Sequence, residues 1–407
     1  MGPSTVSSTA DLRLMHLSRT LRAVHLSPTA LSRADLSRHL GCTRATAGTL
    51  IADLERLGLV QEKATLVTGG RGRPSALLGP AADGPVVVTL GIATDAVRVA
   101  HSPITGGLNE VHTRALESQD VDVVLASARD LLTERLVRLG TRVAGVGVAI
   151  HGLVERTSGQ VLSAPGLGWA GEPVDVLAGL GLQPDRRVRV GNVATLMAVA
   201  EATRGRVAAE PGQVVLVLHA DVGVGGALLV DGRPVTGRRG LAGEYGHAPL
   251  GVDDLPCRCG ARGCWETEMD RLAVARMAGI EASVATASAV ADSVFREART
   301  AAGDAAVRRA AVSLGRGIGV LVGIHDPDLV LLSEHAADLY DAAGDVVREA
   351  AAARSTPASF PELAPIEVTT LGEDGGLIGA AEAVFDVLLE DLSLLTSERR
   401  TGQRSPR

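Results

Sequence analysis

Two different hydrophobic patterns divide this chain of 407 residues. In the first eighty residues apolar side chains recur at helical spacing: Leu14, Leu17, Leu21 and Val24 follow at steps of three and four, which predicts an amphipathic helix. From about residue 84, β-rich runs alternate with Ala/Leu-rich segments such as "VVLASARDLLTERLVRLG". The β-rich runs are "GPVVVTLGIA", "VAGVGVAI", "RRVRVG", "GQVVLVLHA" and "DLVLLS". This alternation predicts an α/β body behind a small helical head.

Capping residues divide the rest of the head into two further helices. Ser32 is a residue type that caps helix N-termini, and Gly41 suits a helix C-terminus. Thr43 opens a third helix that closes near Gly58. Two short helices joined by a glycine-containing turn predict a helix-turn-helix.

The segment "LVQEKATLVTGGRGRPSALLGP" adds two short β-like runs around a Gly/Arg tip, which extends the prediction to a winged helix-turn-helix. In such a module Arg44, Thr46 and Thr49, near the start of the third helix, point into the major groove of DNA. The tip places Arg71 and Arg73 against phosphates or in a narrow minor groove. A small helical dimerisation module with a solvated basic face is the alternative interpretation.

The charge is unevenly distributed along the chain. Residues 1–80 carry ten Lys and Arg against five Asp and Glu, whereas the formal net charge of the whole protein is −7. A basic head on an acidic body indicates a polyanionic partner for the head, here double-stranded DNA, and a different task for the body.

The composition, 46% hydrophobic and 21% charged, is that of a globular protein, and the length predicts more than one domain. The N-terminus lacks the layout of a signal peptide, and no apolar run reaches membrane-spanning length. Four cysteines without a secretory signal favour reduced thiols. We therefore expect a cytoplasmic protein that has no membrane partner.

Three of the four cysteines lie within eight positions of one loop, shortly after a histidine. His247, Cys257, Cys259 and Cys264 offer three thiolates and one imidazole, the ligand set of a tetrahedral structural zinc ion. Because all four positions are protein ligands, no site is left for a metal-bound water. Buried or redox-active thiols without a metal are the alternative.

The same loop carries a family resemblance. "LAGEYGHAPLGVDDLPCRCGARGCWE" resembles the diagnostic motif of the ROK family (repressors, open reading frames and sugar kinases), and "DVGVGGALLVDGRPVTG" and "LGEDGGLIGAA" are similar to further family segments. The resemblance implies a two-lobed, actin-like α/β ATPase body with a sugar site in its cleft. The head resembles the one that ROK repressors carry. The implied division is residues 1–80 for the head, 84–395 for the ROK body with its zinc loop at 247–264, and 396–407 for a disordered polar tail.

The residues that ROK kinases use for phosphotransfer are missing. The family's catalytic Asp follows an Asn, but here Asn192 is followed by Val193, which cannot accept a proton. Asp221 stands in the second phosphate turn, where its charge would repel phosphates, and Ser333 and Glu334 replace an adenosine-side Gly-Gly pair. We expect no kinase activity.

The sugar side is better preserved. By the resemblance, Asn192, Glu244, His247 and Glu266 occupy positions that hydrogen-bond sugar hydroxyls, and His247 could hold zinc through one ring nitrogen and face the ligand with the other. Gly166 stands where the family has an Asn that contacts the sugar. The alternative is that Glu244 and Glu266 have only a structural role and stabilise the zinc loop.

The leading hypothesis is a ROK-type transcriptional regulator, a homodimer or homotetramer that binds an inverted-repeat operator and is controlled by a sugar-type ligand. The alternatives are an active sugar kinase with an added DNA-binding head, and a ligand-independent repressor whose cleft is vestigial.

Overall fold

The computed structural model describes residues 9–27, 29–63, 76–207, 212–296, 301–354 and 363–396. Three helices and a two-stranded antiparallel sheet form the head, as the sequence predicts. They are α1 (Thr9–Leu26), α2 (Arg33–Leu40), α3 (Arg44–Arg56), β1 (Val60–Lys63) and β2 (Leu77–Pro80). The tip between β1 and β2, with Arg71 and Arg73, lies outside the described residues.

Local capping fixes the helix-turn-helix. The Ser32 hydroxyl accepts a hydrogen bond from the Asp35 amide, and the Asp35 carboxylate accepts one from the Ser32 amide. Thr43 caps α3 by accepting from the Thr46 amide, and Gly41 ends α2 at a φ of 63°. Each such cap stabilises a helix by about 1 kcal/mol. Both predicted N-caps are confirmed.

Among the described residues, the hydrophobic core of the head is continuous with that of the body. Leu17, Leu21 and Val24 of α1 are buried in one cluster with residues of the body, among them Val384 and Phe385. The prediction that Leu14 shares this apolar face is wrong, because Leu14 is 44% exposed and the buried face begins one turn later. The boundary between residues 80 and 84 stays a prediction.

The body contains two five-stranded sheets of the same design. In each sheet the first three strands in spatial order are antiparallel to one another. The third of these is the central strand of the sheet, and the two remaining strands are added to it in parallel. In spatial order, the first sheet is β5 (Asn109–Ala115), β4 (Ala96–Pro103), β3 (Val86–Ile92), β6 (Val143–Ile150) and β9 (Val188–Asn192). The second is β12 (Arg233–Pro234), β11 (Gly223–Val230), β10 (Val214–Asp221), β13 (Leu329–Glu334) and β14 (Ile366–Val368). A hairpin of β7 (Leu153–Val154) and β8 (Val161–Ser163) follows β6.

Helices flank the two sheets and complete two α/β lobes, which confirms the predicted fold class. They are α4 (Val121–Leu139), α5 (Val176–Gly179), α6 (Val193–Arg204), α7 (Arg271–Met277), α8 (Ala287–Arg296), α9 (Ala301–His325), α10 (His335–Ala352), α11 (Gly375–Glu390) and α12 (Ser393–Thr396). All five strands predicted for the body are found. The Gly-rich stretch 221–235 forms the hairpin of β11 and β12. The polar tail beyond Thr396 lies outside the described residues.

Two helices, α6 and α11, pack against each other between the sheets. Their contact requires glycine on α11: a Cβ at Gly376 would lie 2.8 Å from Val193 Cγ2, and a Cβ at Gly379 would overlap the Leu196 carbonyl oxygen. Because no side chain separates them there, the backbones approach closely. Both helices begin at the cleft between the lobes and end beside the head.

At the head, the far end of α6 and the middle of α11 meet α1 in a buried polar cluster. His25 Nε2 lies 2.7 Å from Glu382 Oε2, and both side chains are 2% exposed. Arg204, the last residue of α6, donates from Nε to Glu382 Oε1 over 2.8 Å and from a terminal nitrogen to the His25 carbonyl oxygen over 2.6 Å. We call His25, Arg204 and Glu382 the junction triad.

Among the described residues, no helix is both long and apolar enough to cross a membrane.

Candidate functional site: a cleft between two lobes beside a cysteine-histidine cluster

The four predicted ligand residues come together at one cavity. Asn192, Glu244, His247 and Glu266 all line a cleft of about 90 Å³. They come from distant parts of the chain: Asn192 ends β9, and the other three belong to the loop after β12. The structure therefore groups these residues, while their role toward a ligand stays a prediction.

Asn192 has a structural task in addition. Its side-chain oxygen accepts hydrogen bonds from the amides of Ala194 and Thr195, which caps α6, and its nitrogen donates to the Gly152 carbonyl over 2.8 Å. One amide N–H is left for a ligand. Asn192 thus links the cavity wall directly to the start of α6.

The acids of the cleft stand on either side of His247. Its Nε2 lies 3.9 Å from Glu244 Oε2, and its Nδ1 lies 3.8 Å from Glu266 Oε2. Burial raises the pKa of Glu244 above its usual range. Carboxylates and an imidazole at this spacing can accept and donate the several hydrogen bonds that a polyhydroxylated molecule offers.

The cysteine-histidine cluster has the geometry of a tetrahedral metal site. The ligand atoms of His247, Cys257, Cys259 and Cys264 all lie within 4.8 Å of one another. The sulfurs of Cys259 and Cys264 are 3.7 Å apart, and His247 Nδ1 is 3.7 Å from the Cys257 sulfur. A tetrahedral zinc with Zn–S bonds of about 2.3 Å sets its sulfurs about 3.8 Å apart. The residues fit such an ion.

Ionisation of these thiols depends on a cation. Burial raises the pKa of the Cys257 and Cys264 thiols, so without a cation these thiols stay protonated at neutral pH. A divalent ion among them reverses this preference and holds the sulfurs as thiolates. Because Nδ1 of His247 faces the sulfurs, Nε2 is left on the Glu244 side, as the sequence predicts for a shared histidine.

Hydrophobic and acidic groups line the deeper part of the cleft. Val193 packs against α11. Asp221 accepts from Arg271 Nε over 2.7 Å, and the same guanidinium reaches Asp292 at 2.9 Å and Asp338 at 3.4 Å. Burial opposes ionisation of Asp221, but His151 and Arg271 outweigh it and hold its pKa below the usual range.

Sequence reasoning missed three residues of the cleft. His151 follows β6, His219 lies in β10, and Arg258 sits between two of the cysteines. The rings of His151 and His219 lie edge to face with centroids 5.6 Å apart. One terminal nitrogen of Arg258 is buried without a hydrogen-bond partner among the described residues. Polar residues at the carboxyl ends of buried strands are a signal that could have identified the two histidines.

Gly166, where the resembling family has an asparagine, lies on the same wall. A Cβ there would approach the Val222 carbonyl oxygen to 3.2 Å and Thr94 Cγ2 to 3.4 Å. A side chain at this position would require the neighbouring backbone to shift by a few tenths of an ångström.

At the other end of the molecule, the predicted DNA-reading residues are exposed on one helix. Arg44, Thr46 and Thr49 lie at the start of α3 and face solvent, while Ala47, Leu50 and Ile51 on the opposite face are buried. The first turn of α3 is thus available to a partner.

The body consists of two lobes that share one strand order and enclose a cleft, which is the architecture of actin-like sugar kinases. The head in front of it has the helix-turn-helix arrangement that is typical of DNA-binding proteins. The chain belongs to the ROK family, whose model matches residues 107–386.

Three relatives illustrate this membership. A xylose repressor from Caldicellulosiruptor bescii is 26% identical, with 88% of this chain and 92% of that protein covered. A glucokinase from Streptomyces coelicolor is 25% identical over 72% of this chain and 96% of its own. A crystal structure of a ROK family transcriptional regulator, a homologue of the E. coli MLC protein, superposes with a TM-score of 0.71 at 21% identity, covering 95% of this chain and 99% of that one.

Proposed function

We propose that this protein is a DNA-binding transcriptional repressor controlled by a sugar-type ligand in the cleft, without phosphotransfer activity. The observation that carries the proposal is the continuity from cleft to head. Asn192 caps α6 in the cavity wall, and Arg204 at the other end of the same helix bonds to His25 of the head and to Glu382. A ligand that shifts Asn192 thereby shifts a contact of the DNA-binding head.

The DNA contacts are assigned to two parts of the head. Arg44, Thr46 and Thr49 on the exposed start of α3 read base edges in the major groove, and Arg71 and Arg73 at the wing tip hold phosphates or a narrow minor groove. The head as a monomer covers one half-site, so we infer a homodimer or homotetramer on an inverted repeat. The similarity to a xylose repressor over most of both chains supports repression.

The ligand contacts are assigned to Asn192, Glu244, His247 and Glu266, which line one cavity. A structural zinc ion held by His247, Cys257, Cys259 and Cys264 would fix the loop that carries the last three of these ligand contacts. This ion orients His247 and leaves no coordination position for chemistry.

An active sugar kinase is the second candidate, favoured by the glucokinase similarity over nearly the whole body. Val193 argues against it, since loss of a general base alone costs about two to four orders of magnitude in rate. A coupled assay with ATP, common hexoses and N-acetyl sugars decides the matter: we expect no turnover above the blank, and an enzyme-like rate would overturn our assignment.

The regulator itself is tested by capture of genomic fragments on the tagged protein, followed by fluorescence anisotropy on the recovered DNA. We expect Arg44→Ala to weaken binding at least tenfold, while Arg309→Ala, an exposed arginine of the body, leaves it unchanged. Addition of a panel of sugars then separates a ligand-controlled repressor from one with a vestigial cleft. Absence of binding to any captured fragment at low salt would refute the proposal.

A further inference from the structure

The three cysteines of the cysteine-histidine cluster differ in their exposure to solvent. Cys257 and Cys264 are only 8% and 1% exposed, whereas Cys259 is an exposed residue. Thiolates are the form of cysteine that reacts with oxidants, and access limits their reaction. A dissolved oxidant that approaches this loop therefore meets Cys259 before the other two.

Cys259 lies on a short turn at the surface of the loop. The Gly260 amide donates to the Cys257 carbonyl oxygen over 3.0 Å, and the Cys257 amide donates to the Ala261 carbonyl oxygen over 2.8 Å. The first of these bonds places Cys259 at the second central position of a β-turn. A Cβ added at Gly260 would find no heavy atom within 4 Å. The turn is thus unpacked on this side, and Cys259 has room to move.

Cys264, in contrast, is fixed to the core of the body. The residue that follows it, Trp265, is fully buried. The Trp265 amide donates to the Ala248 carbonyl oxygen over 3.0 Å, and its indole nitrogen donates to the Ser313 carbonyl oxygen over 2.8 Å. Because these bonds anchor the backbone beside Cys264, a change in the distance between the two sulfurs comes from movement of the exposed turn.

The sulfurs of Cys259 and Cys264 are close enough to be joined. They lie 3.7 Å apart. An S–S bond is about 2.05 Å long, so a displacement of less than about 2 Å brings the two sulfurs to bonding distance. The Cys257 sulfur has other contacts, since it lies 3.1 Å from Glu266 Oε1 and 3.4 Å from the Cys259 amide nitrogen. Cys264 is therefore the partner that the geometry favours for Cys259.

We propose that Cys259 and Cys264 form a peroxide-sensitive modification site, whose oxidation to a disulfide releases zinc from the loop. The Cys259 thiolate attacks one oxygen of hydrogen peroxide, the O–O bond breaks, and hydroxide leaves a sulfenic acid behind. The Cys264 thiolate then attacks the Cys259 sulfur, the S–O bond breaks, and a second hydroxide leaves. Each hydroxide takes up a proton to give water. The two thiolates are oxidised by two electrons in total, and the peroxide is reduced by the same two.

The disulfide removes two of the four ligands. His247 and Cys257 remain, which is too few for a structural zinc site. Oxidation thereby frees the loop that carries Glu244 and Glu266, two of the ligand contacts assigned above, without any sugar in the cleft. The inference rests on the zinc ion of the proposed function, and it requires neither DNA nor an identified sugar.

The sequence allows the disulfide to be located directly. Arg258 and Arg262 lie between successive cysteines of the cluster, so trypsin places each of the three in a different peptide. The peptides are 240–258 with Cys257, 259–262 with Cys259 and 263–271 with Cys264. Mass spectrometry of the digest, made after free thiols have been blocked, therefore reads out which pair has been joined.

The full-length, zinc-loaded protein is treated with hydrogen peroxide, and zinc release is followed with a chelating dye. We expect loss of the bound zinc, linkage of peptide 259–262 to peptide 263–271, and reversal of both by dithiothreitol with added zinc. Cys42→Ser removes the cysteine that lies outside the cluster. It should show the same release and the same linkage as the wild type.

Two results would overturn the proposal: zinc that stays bound in peroxide, or a disulfide that involves peptide 240–258 in place of the expected pair. The metal content is measured before oxidation. Absence of zinc at that stage refutes the metal assignment of the proposed function together with this inference. Zinc that is present but resists peroxide refutes this inference alone, so the two failures are distinguishable.

Discussion

The junction triad gives the sharpest prediction on stability. Glu382→Gln keeps the size of a side chain that is 2% exposed but removes the charge facing His25 and Arg204. Removing one partner of a buried ion pair costs about 3–5 kcal/mol, because the remaining charge stays buried without compensation. We therefore expect the free energy of unfolding to fall by about this amount.

The same two helices supply a matched control. Arg22 of α1 and Asp386 of α11 form a second ion pair one turn away, 2.9 Å long, with side chains that are 37% and 61% exposed. Because exposed pairs contribute about 0–1 kcal/mol, Asp386→Asn should cost less than about 1 kcal/mol. Urea unfolding followed by circular dichroism, with zinc held constant, measures both variants.

The pH dependence provides an independent check. Burial opposes ionisation of Glu382, but His25 and Arg204 outweigh it and lower its pKa. A carboxyl with a lowered pKa stabilises the folded state at neutral pH and loses this contribution as the pH falls through the acid range. The difference between wild type and Glu382→Gln should therefore shrink on acidification. Equal losses for Glu382→Gln and Asp386→Asn at neutral pH would refute the reasoning.

Three further predictions concern other parts of the molecule. Cys259→Ser should lower the zinc content per chain and the urea midpoint, because the binding energy of a structural ion is folding energy; unchanged metal content would contradict the site. Arg71→Ala with Arg73→Ala should weaken binding to all DNA sequences and lower the salt slope by about 2, and a change of sequence preference alone would make the wing a base reader. Glu334→Gly should raise the free energy of unfolding by about 1 kcal/mol by relieving the φ of 53°, and a decrease in urea unfolding would contradict strain at this position.

Features encoded within a few residues could be predicted from the sequence. Ser32 and Thr43 cap their helices through bonds that span three residues, and the spacing of the cysteines alone indicates a metal loop. Buried strands such as β6 are continuous apolar runs, which makes them visible without knowledge of their neighbours. The residues selected by the family motif, Asn192, Glu244, His247 and Glu266, line one cavity, and their role toward a ligand stays a prediction.

Other features depend on contacts between distant segments. The edge strand β5 was not predicted, because its sequence "NEVHTRA" is polar and mostly exposed, and pairing with β4 defines it. His151 and His219 meet only because the two sheets face each other across the cleft. The three residues of the junction triad lie at positions 25, 204 and 382. Nothing in the sequence around any of them indicates that their side chains contact one another.

The glycines of α11 determine how a displacement would travel through the molecule. With backbone against backbone at Gly376 and Gly379, neither helix can slide or tilt without moving the other. The twelve residues of α6 span about 18 Å, so a small rotation at the cleft becomes a lateral shift at the head in proportion to that length. Any side chain at Gly379 would push the two helices apart, because its Cβ would overlap the Leu196 carbonyl oxygen.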